Sequence, residues 1–216
     1  METEVRFFFG ENKLDDIKIM FKKYEYLFSA MELTVMYDNP NPKLTFYNLE
    51  IDGRLRLRTS NVLETSAFGK SNCKNKSFCL LTWKRRLPGT KIGDIRREEE
   101  IECSINPKEA KSIESILSDI LKCPKISSYE RIRHNFDSKF AKITCDQFPY
   151  GLMLEFELKD GFSEDELISE VVSCGLKPAD SSNLSCDDMY FKLCDKSKTK
   201  IKSDILFSDA SMPKIV

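Results

Sequence analysis

The stretch "RLRLRTS", Arg54 to Ser60, puts Arg54, Arg56 and Arg58 on one side of an extended chain and Leu55 and Leu57 on the other. Side chains that alternate with a period of two mark a strand. The same alternation recurs along the chain. In "LTWKRR" (81–86), Thr82, Lys84 and Arg86 oppose Leu81 and Trp83. In "RREEEIECSI" (96–105), Arg96, Glu98, Glu100 and Glu102 oppose Ile101, Cys103 and Ile105. Arg131 and Arg133 share a face in "YERIRHNF" (129–136), and Lys142, Thr144 and Asp146 share one in "KITCD" (142–146). Glu155 and Glu157 oppose Leu152, Leu154, Phe156 and Leu158 in "GLMLEFEL" (151–158), and Glu2, Glu4 and Arg6 share a face of "METEVRFFF" (1–9).

A strand with one polar face ordinarily turns that face to water. A solvent face mixes in Ser, Thr, Gln and Lys, whereas these faces are rich in Arg and Glu and sorted by sign. Helices can cover the apolar faces from outside, so the charged faces converge on one another across a closed or nearly closed sheet. The product is a polar tunnel with an acidic and a basic wall. Clustered carboxylates hold hard divalent cations such as magnesium or manganese, and arginine grips phosphate oxygens two at a time. Either wall is costly to bury alone, and a metal–polyphosphate guest neutralises both.

The rest of the sequence narrows the classes. The 216 residues suffice for one large domain, and 41% hydrophobic with 32% charged residues describes a soluble, heavily charged globule. A net charge of −1 gives no general pull toward nucleic acid or an anionic membrane. No apolar run reaches the length of a membrane span and the start shows no signal-peptide pattern, which sets the expectation of a cytoplasmic protein. The eight cysteines form no C-x-x-C and His134 is the sole histidine, so the expectation is reduced, buried thiols rather than a zinc site. His134 alternates off the Arg131/Arg133 face and reads as a packing residue. "GKS" (69–71) lacks the first glycine of a phosphate loop, because Glu64 stands there.

Helical spacing appears in "KLDDIKIMFKKYEYLFSAM" (13–31), in "NPKEAKSIESILSDILK" (106–122) behind an Asn106 cap, and in "SEDELISEVVSCG" (163–175) between a Ser163/Glu166 cap and Gly175. A short helix is expected around "DDMYFKLC" (187–194). Strands are expected near 2–9, 33–37, 43–51, 53–59, 78–86, 96–105, 128–136, 139–146 and 151–158. Strands dominate and helices are inserted between groups, giving an α+β class with a mainly antiparallel sheet. Residues 1–194 read as one domain and 195–216 as a polar, flexible tail.

Taken in order, Glu2-x-Glu4-x-Arg6, "YDNP", "LRLR", "LTWK", "RREEEIE", "RIR", "CD" and "YGLMLEFE" resemble the CYTH domain of the triphosphate tunnel metalloenzymes. The resemblance runs over roughly residues 2–194. It implies an eight-stranded antiparallel tunnel, helices packed outside, and a triphosphate bound with Mg2+ or Mn2+. By position it implies Glu2, Glu4, Glu98, Glu100, Asp146 and Glu157 as metal-binding acids. It likewise implies Arg6, Arg56, Arg58, Lys84, Arg131 and Arg133 as phosphate-binding residues, with Glu155 and Glu157 in catalysis. Arginine replaces the family's usual lysine at Arg6 and Arg131, which keeps the charge and changes reach and geometry. The implied activity is hydrolysis of inorganic tripolyphosphate, thiamine triphosphate or a nucleoside triphosphate. Adenylate cyclase chemistry of the class IV type, or a non-catalytic polyphosphate- or nucleotide-binding module, fits the same tunnel. A small-molecule triphosphate is the expected partner, an extended RNA track is not expected, and such domains often pair as homodimers.

Overall fold

The structure, a computed structural model, describes residues 2–46, 52–86 and 96–216. Eight long strands carry the fold: β1 (Glu2–Phe9), β2 (Glu25–Tyr37), β3 (Gly53–Leu63), β4 (Ser77–Arg86), β5 (Arg96–Ile105), β6 (Lys125–Asp137), β7 (Ala141–Phe148) and β8 (Gly151–Leu158). They run β6-β2-β3-β4-β5-β1-β8-β7, and β7 pairs back onto β6 between Ile132↔Gln147 and Asp137↔Lys142. The result is a closed antiparallel barrel, as the alternating charge implied. The seam between β5 and β1 is short, with Glu2, Thr3 and Glu4 opposite Glu98, Arg97 and Arg96. Beyond it the Ser182 N–H donates to the carbonyl of Arg6 at 2.8 Å and covers the strand's edge.

The apolar sides of the strands face outward and are roofed by helices. Val5, Phe7, Ile143, Cys145, Leu152, Leu154 and Phe156 pack beneath Ile17 of α1 (Leu14–Met20), Phe21, and Leu167 and Val171 of a second helix (Glu164–Ser173). That helix starts at Ser163, whose hydroxyl accepts from the Glu166 N–H while Glu166 bonds back to the Ser163 N–H. Around the barrel, Tyr37, Leu57 and Cys79 pack with Leu117, which follows the helix Ala110–Ser115. Each large side chain sealed here contributes about 1.5–3 kcal/mol. In chain order these helices are α1, α2 (Ala110–Ser115) and α3 (Glu164–Ser173), and α4 is Cys186–Ser197.

Strand β2 departs from the sequence reading, which runs one helix from 13 to 31. The α-helix stops at Met20, a single 3-10 turn covers Phe21–Lys23, and the strand begins at Glu25. Tyr24, Phe28 and Met31 do fall at helical spacing. The competing structure won because β2 is hydrogen-bonded on both sides, to β3 and to β6. A bulge between Tyr26 and Phe28 also resets the alternation, so Tyr26 stands opposite Phe136 and Ser29 opposite His134. A single period therefore cannot be read through this segment. Of the strand expected at 43–51, residues 43–46 form turns, and 47–51 lie outside the described residues.

One end of the barrel is filled by apolar side chains. Met36, Tyr129, Phe148 and Met153, with Phe8 against them, meet Tyr190 and Cys194 of α4 and the following Ile205, Met212 and Ile215. The expected tail thus belongs to the packed fold. Helix α4 continues to Ser197, Asp204–Ile205 add a short parallel strand (β9) beside Ser128–Tyr129, and the Ile215 N–H donates to the Tyr150 carbonyl at 2.8 Å. Gly151 shows how close this segment lies: a Cβ there would sit 2.8 Å from the Ile215 side chain, and its φ of 154° already suits glycine. Polarity misled because three apolar anchors suffice to dock an otherwise polar stretch.

His134 lies on the outer side, as its parity predicted, but fully buried. Its Nδ1 meets the Ser29 hydroxyl at 2.5 Å and its ring packs on Phe68. Burial lowers its pKa from 6.5 to about 4, despite the opposing pull of Asp146. The unfolded chain therefore takes up this proton first. The residue's full contribution is present above pH 6.5 and is lost as pH falls toward 4. Between pH 6 and 4.5, urea denaturation of the wild type should lose up to about 1.4 kcal/mol more per pH unit than the His134→Asn variant. Parallel profiles would refute the buried neutral imidazole.

Candidate active site

Inside the barrel lies a cavity of about 390 Å³. Its walls carry Glu2, Arg6, Arg56, Arg58, Lys84, Glu98, Glu100, Arg131, Arg133, Glu155 and Glu157, eleven of the site residues expected from the sequence. They converge because every one occupies the inward parity of its strand, and the barrel's closure turns six sequence-distant faces toward one space. Glu4 and Asp146 stand behind this lining, both fully buried. Lys142 and Glu157 pair at 2.8 Å where side chains become more exposed, so this end of the cavity is its open mouth. Ser185, Cys186 and Asp187 at the start of α4 line it from the apolar end.

The basic wall is held by acids that the cavity only partly exposes. Asp146 accepts from Arg131 at 2.9 Å and from both Nε and Nη2 of Arg133 at 2.7 Å. Glu32 accepts from Arg131 Nε at 2.7 Å and from the Ser60 hydroxyl at 2.9 Å, and lies 3.8 Å from Arg58. Burial alone would raise the Glu32 carboxyl, but Arg131 and Arg58 hold it at about 2. Asp146 was expected among the metal ligands. Its two oxygens instead carry three guanidinium bonds, and it orients Arg131 and Arg133. Glu155 was expected to act in catalysis. It accepts from Arg6 at 2.7 Å, with Arg133 at 3.7 Å. Against the upward push of burial, these arginines keep its carboxyl well below the ordinary range, which makes it a clamp and a poor base.

Positive charge nevertheless remains in excess on this side. Burial and the neighbouring Arg131 lower the Arg58 pKa, with Glu32 only partly compensating. Arg56 reaches Glu100 at 3.3 Å, and its Nε is buried without a hydrogen-bond partner among the described residues. The acidic side shows the opposite imbalance. Burial and a hydrogen bond to Glu100 raise Glu2 to about 7 even though the Lys84 ammonium touches it. Burial raises Glu4 as well, past the counter-effect of Arg6 2.6 Å away.

The carboxylates that could hold a cation lie around Lys84. Lys84 marks the place: its ammonium touches Glu2 and lies 3.0 Å from Glu98 and 3.8 Å from Glu100, with Arg56 on Glu100 and Arg54 near Glu98 as the other cations. Among the described residues no three acid, histidine or cysteine side chains are arranged to hold a metal. Oxygen-only ligands of net negative charge suit magnesium or manganese over softer ions.

Sequence reasoning missed two residues here. Glu32 falls between the helix read over 13–31 and the strand expected at 33–37, isolated from any charged run. Arg54 is absent from the phosphate-binding set that the resemblance implies. It is buried, 3.2 Å from Asp52 and 3.7 Å from Glu98, and lines the cavity. Its signal was present in the unbroken Arg-x-Arg-x-Arg parity.

No family model matches the chain, and no curated protein does. Solved structures do match. A Pyrococcus horikoshii protein covers 89% of this chain and 99% of its own at 17% identity and a TM-score of 0.60. A candidate adenylate cyclase from Vibrio parahaemolyticus covers 87% and 97% at 20% identity and 0.59. A candidate adenylyl cyclase from Hippeastrum, described as having a dominant triphosphatase activity, covers 93% and 98% at 13% identity and 0.59. The fold is that of a CYTH domain. Among the described residues no helix is long and apolar enough to cross a membrane.

The clamp role of Asp146 separates from a ligand role by experiment. Asp146→Ala takes away the acid that Arg131 and Arg133 share, leaving Arg131 to Glu32 and Arg133 only the 3.7 Å approach of Glu155, which costs about 3–5 kcal/mol. Thermal unfolding should show the same large loss in EDTA as in magnesium. A loss confined to the magnesium-containing sample would restore Asp146 to the metal.

Proposed function

We propose that this CYTH domain binds a triphosphate in its charged cavity and hydrolyses it with the help of a divalent cation. The reading is carried by the unbalanced walls: a surplus of guanidinium charge at Arg56 and Arg58 faces carboxyls at Glu2 and Glu4 that their surroundings push toward neutrality. An anion and a cation entering together relieve both. The Hippeastrum protein's described activity supports the same chemistry in a chain of this fold.

In this reading Arg6, Arg56, Arg58, Arg131 and Arg133 grip the phosphate oxygens, and Asp146, Glu32 and Glu155 hold the arginines in position beforehand. Orientation fixed before binding spares its cost during the reaction. Lys84 exchanges its carboxylates for phosphate. Glu2, Glu4, Glu98 and Glu100 would hold magnesium or manganese, which supplies charge neutralisation on the phosphate oxygens. Glu157, at the open mouth and paired with Lys142, orients water toward the terminal phosphorus. The displaced bond is the terminal phosphoanhydride, and the proton of the attacking water leaves through the mouth. No covalent intermediate is required.

Adenylate cyclase chemistry is the competing use of the same cavity, and the products decide. Incubated with ATP or tripolyphosphate and magnesium or manganese, the protein should release orthophosphate. Pyrophosphate with cyclic AMP would establish the cyclase, and saturable binding without turnover would establish a binding module. Arg58→Ala removes one charge-assisted contact and should weaken tripolyphosphate binding by about 10- to 100-fold in calorimetry. Unchanged affinity would remove the phosphate from this wall.

A further inference from the structure

Strand β7 turns Lys142, Thr144 and Asp146 into the barrel, and two of the three have partners. Asp146 holds Arg131 and Arg133, and Lys142 holds Glu157. Thr144, between them, is only 9% exposed, and its hydroxyl oxygen is buried with no hydrogen-bond partner among the described residues. The outer core does not call for it, since Ile143 and Cys145 on the other face do that packing. A buried hydroxyl left unbonded costs stability, and an apolar group of the same shape would avoid the cost. Its presence on this wall therefore calls for a partner that arrives during the reaction.

The strand register shows what that partner meets. Thr144 stands opposite Glu155 on one side and Asn135 on the other, and Glu157 lies diagonally across the β7–β8 ladder. Opposed residues have Cβ atoms about 4.5–5.5 Å apart and diagonal neighbours lie about 7–8 Å apart, the second being a span that one water bridges. Two of the three neighbours are engaged: Glu155 accepts from Arg6 at 2.7 Å, and the Asn135 amide donates to the Phe28 carbonyl at 3.3 Å. Glu157 is bound by Lys142 through Oε1. Resting on the hydrolysis reading above, we propose that the Thr144 hydroxyl positions the attacking water together with Glu157. A turn between staggered χ1 positions exchanges the threonine hydroxyl with its methyl and aims the oxygen into the cavity. The water then directs one hydrogen to Glu157 and the other to Thr144 Oγ1, which leaves a lone pair of its oxygen for the terminal phosphorus. Thr144 keeps its own proton, and no bond to it forms or breaks. It is a positioning residue.

The test is steady-state hydrolysis of tripolyphosphate, in magnesium or manganese, by the full chain and its Thr144→Val and Thr144→Ser variants, with thermal unfolding of each in the absence of substrate. Thr144→Val should lower kcat by about 10- to 100-fold, the worth of one hydrogen bond in the transition state, and leave KM within about twofold. Thr144→Ser, which keeps the hydroxyl, should restore most of kcat. Thr144→Val should unfold at or above the wild-type temperature, because it removes a hydroxyl that is unbonded at rest. Four results would each overturn the role of Thr144 and leave the tunnel reading standing: an unchanged kcat, a raised KM at constant kcat, an equal loss of kcat in both variants, or a Thr144→Val protein less stable than the wild type. A wild-type protein that binds tripolyphosphate without turnover overturns the hydrolysis reading and this proposal together.

Discussion

Everything in this molecule follows from placing ionised side chains inside a closed sheet. A barrel satisfies its backbone hydrogen bonds from strand to strand, so interior side chains are free of that duty. Filling the interior with charge forces the apolar core elsewhere. It lies outside, under α1, α2 and α3, and at one end, where α4 and the last residues close over Met36, Tyr129, Phe148 and Met153. The charges then face one another across the cavity. A buried ion pair is close to neutral in stability, since the cost of leaving water offsets the attraction. The network is therefore better understood as positioning than as cement. Glu32, Asp146 and Glu155 each touch an arginine of the lining, and each would be a poor choice if stability alone were served.

That division explains what was legible in the sequence. Parity was plain in β3, where Arg and Leu alternate from 54 to 58, whereas in β5 the run Arg96 to Glu100 is charged on both faces and leaves the register open by one residue. Closure was not plain. The same alternation would describe an open sheet wetted on one face, and only the sorting of charge by strand argued for a common interior. Glu32 escaped because its strand contains a bulge and begins inside an apparent helix. The anchoring of residues 204–215 escaped because it rests on Ile205, Met212 and Ile215, spaced too widely to form a pattern. The roles of Asp146 and Glu155 could not be assigned from type. A carboxylate serves a metal or a guanidinium according to which neighbours the register supplies, and Asp146 faces Arg133 while Glu155 faces Arg6.

The two ends of the interior differ in a way that gives the site a direction. The mouth carries Glu157 and Lys142, partly in water. The far end carries aromatic and methionine side chains with the start of α4 laid across them. The mouth at Glu157 and Lys142 is where water meets the charged lining. A phosphate chain lying on Arg6, Arg56, Arg58, Arg131 and Arg133 has one end near that water and the other toward Arg54 and Asp187. Hydrolysis of the terminal anhydride needs that orientation, and it leaves the opposite end to whatever group the chain carries.

Lys84 holds the remaining tension. Its ammonium is stabilised by Glu4, Glu98 and Glu2 against the cost of its own burial. A cation drawn to those carboxylates must displace a charge already there. The displacement is favourable only if the lysine finds another anion within reach, and a phosphate on the neighbouring arginines is such an anion. In the proposed reading, cation and triphosphate are then mutually dependent guests: each removes the obstacle to the other. Cooperation of this kind needs no moving domain, only one flexible four-carbon side chain between two walls of opposite sign.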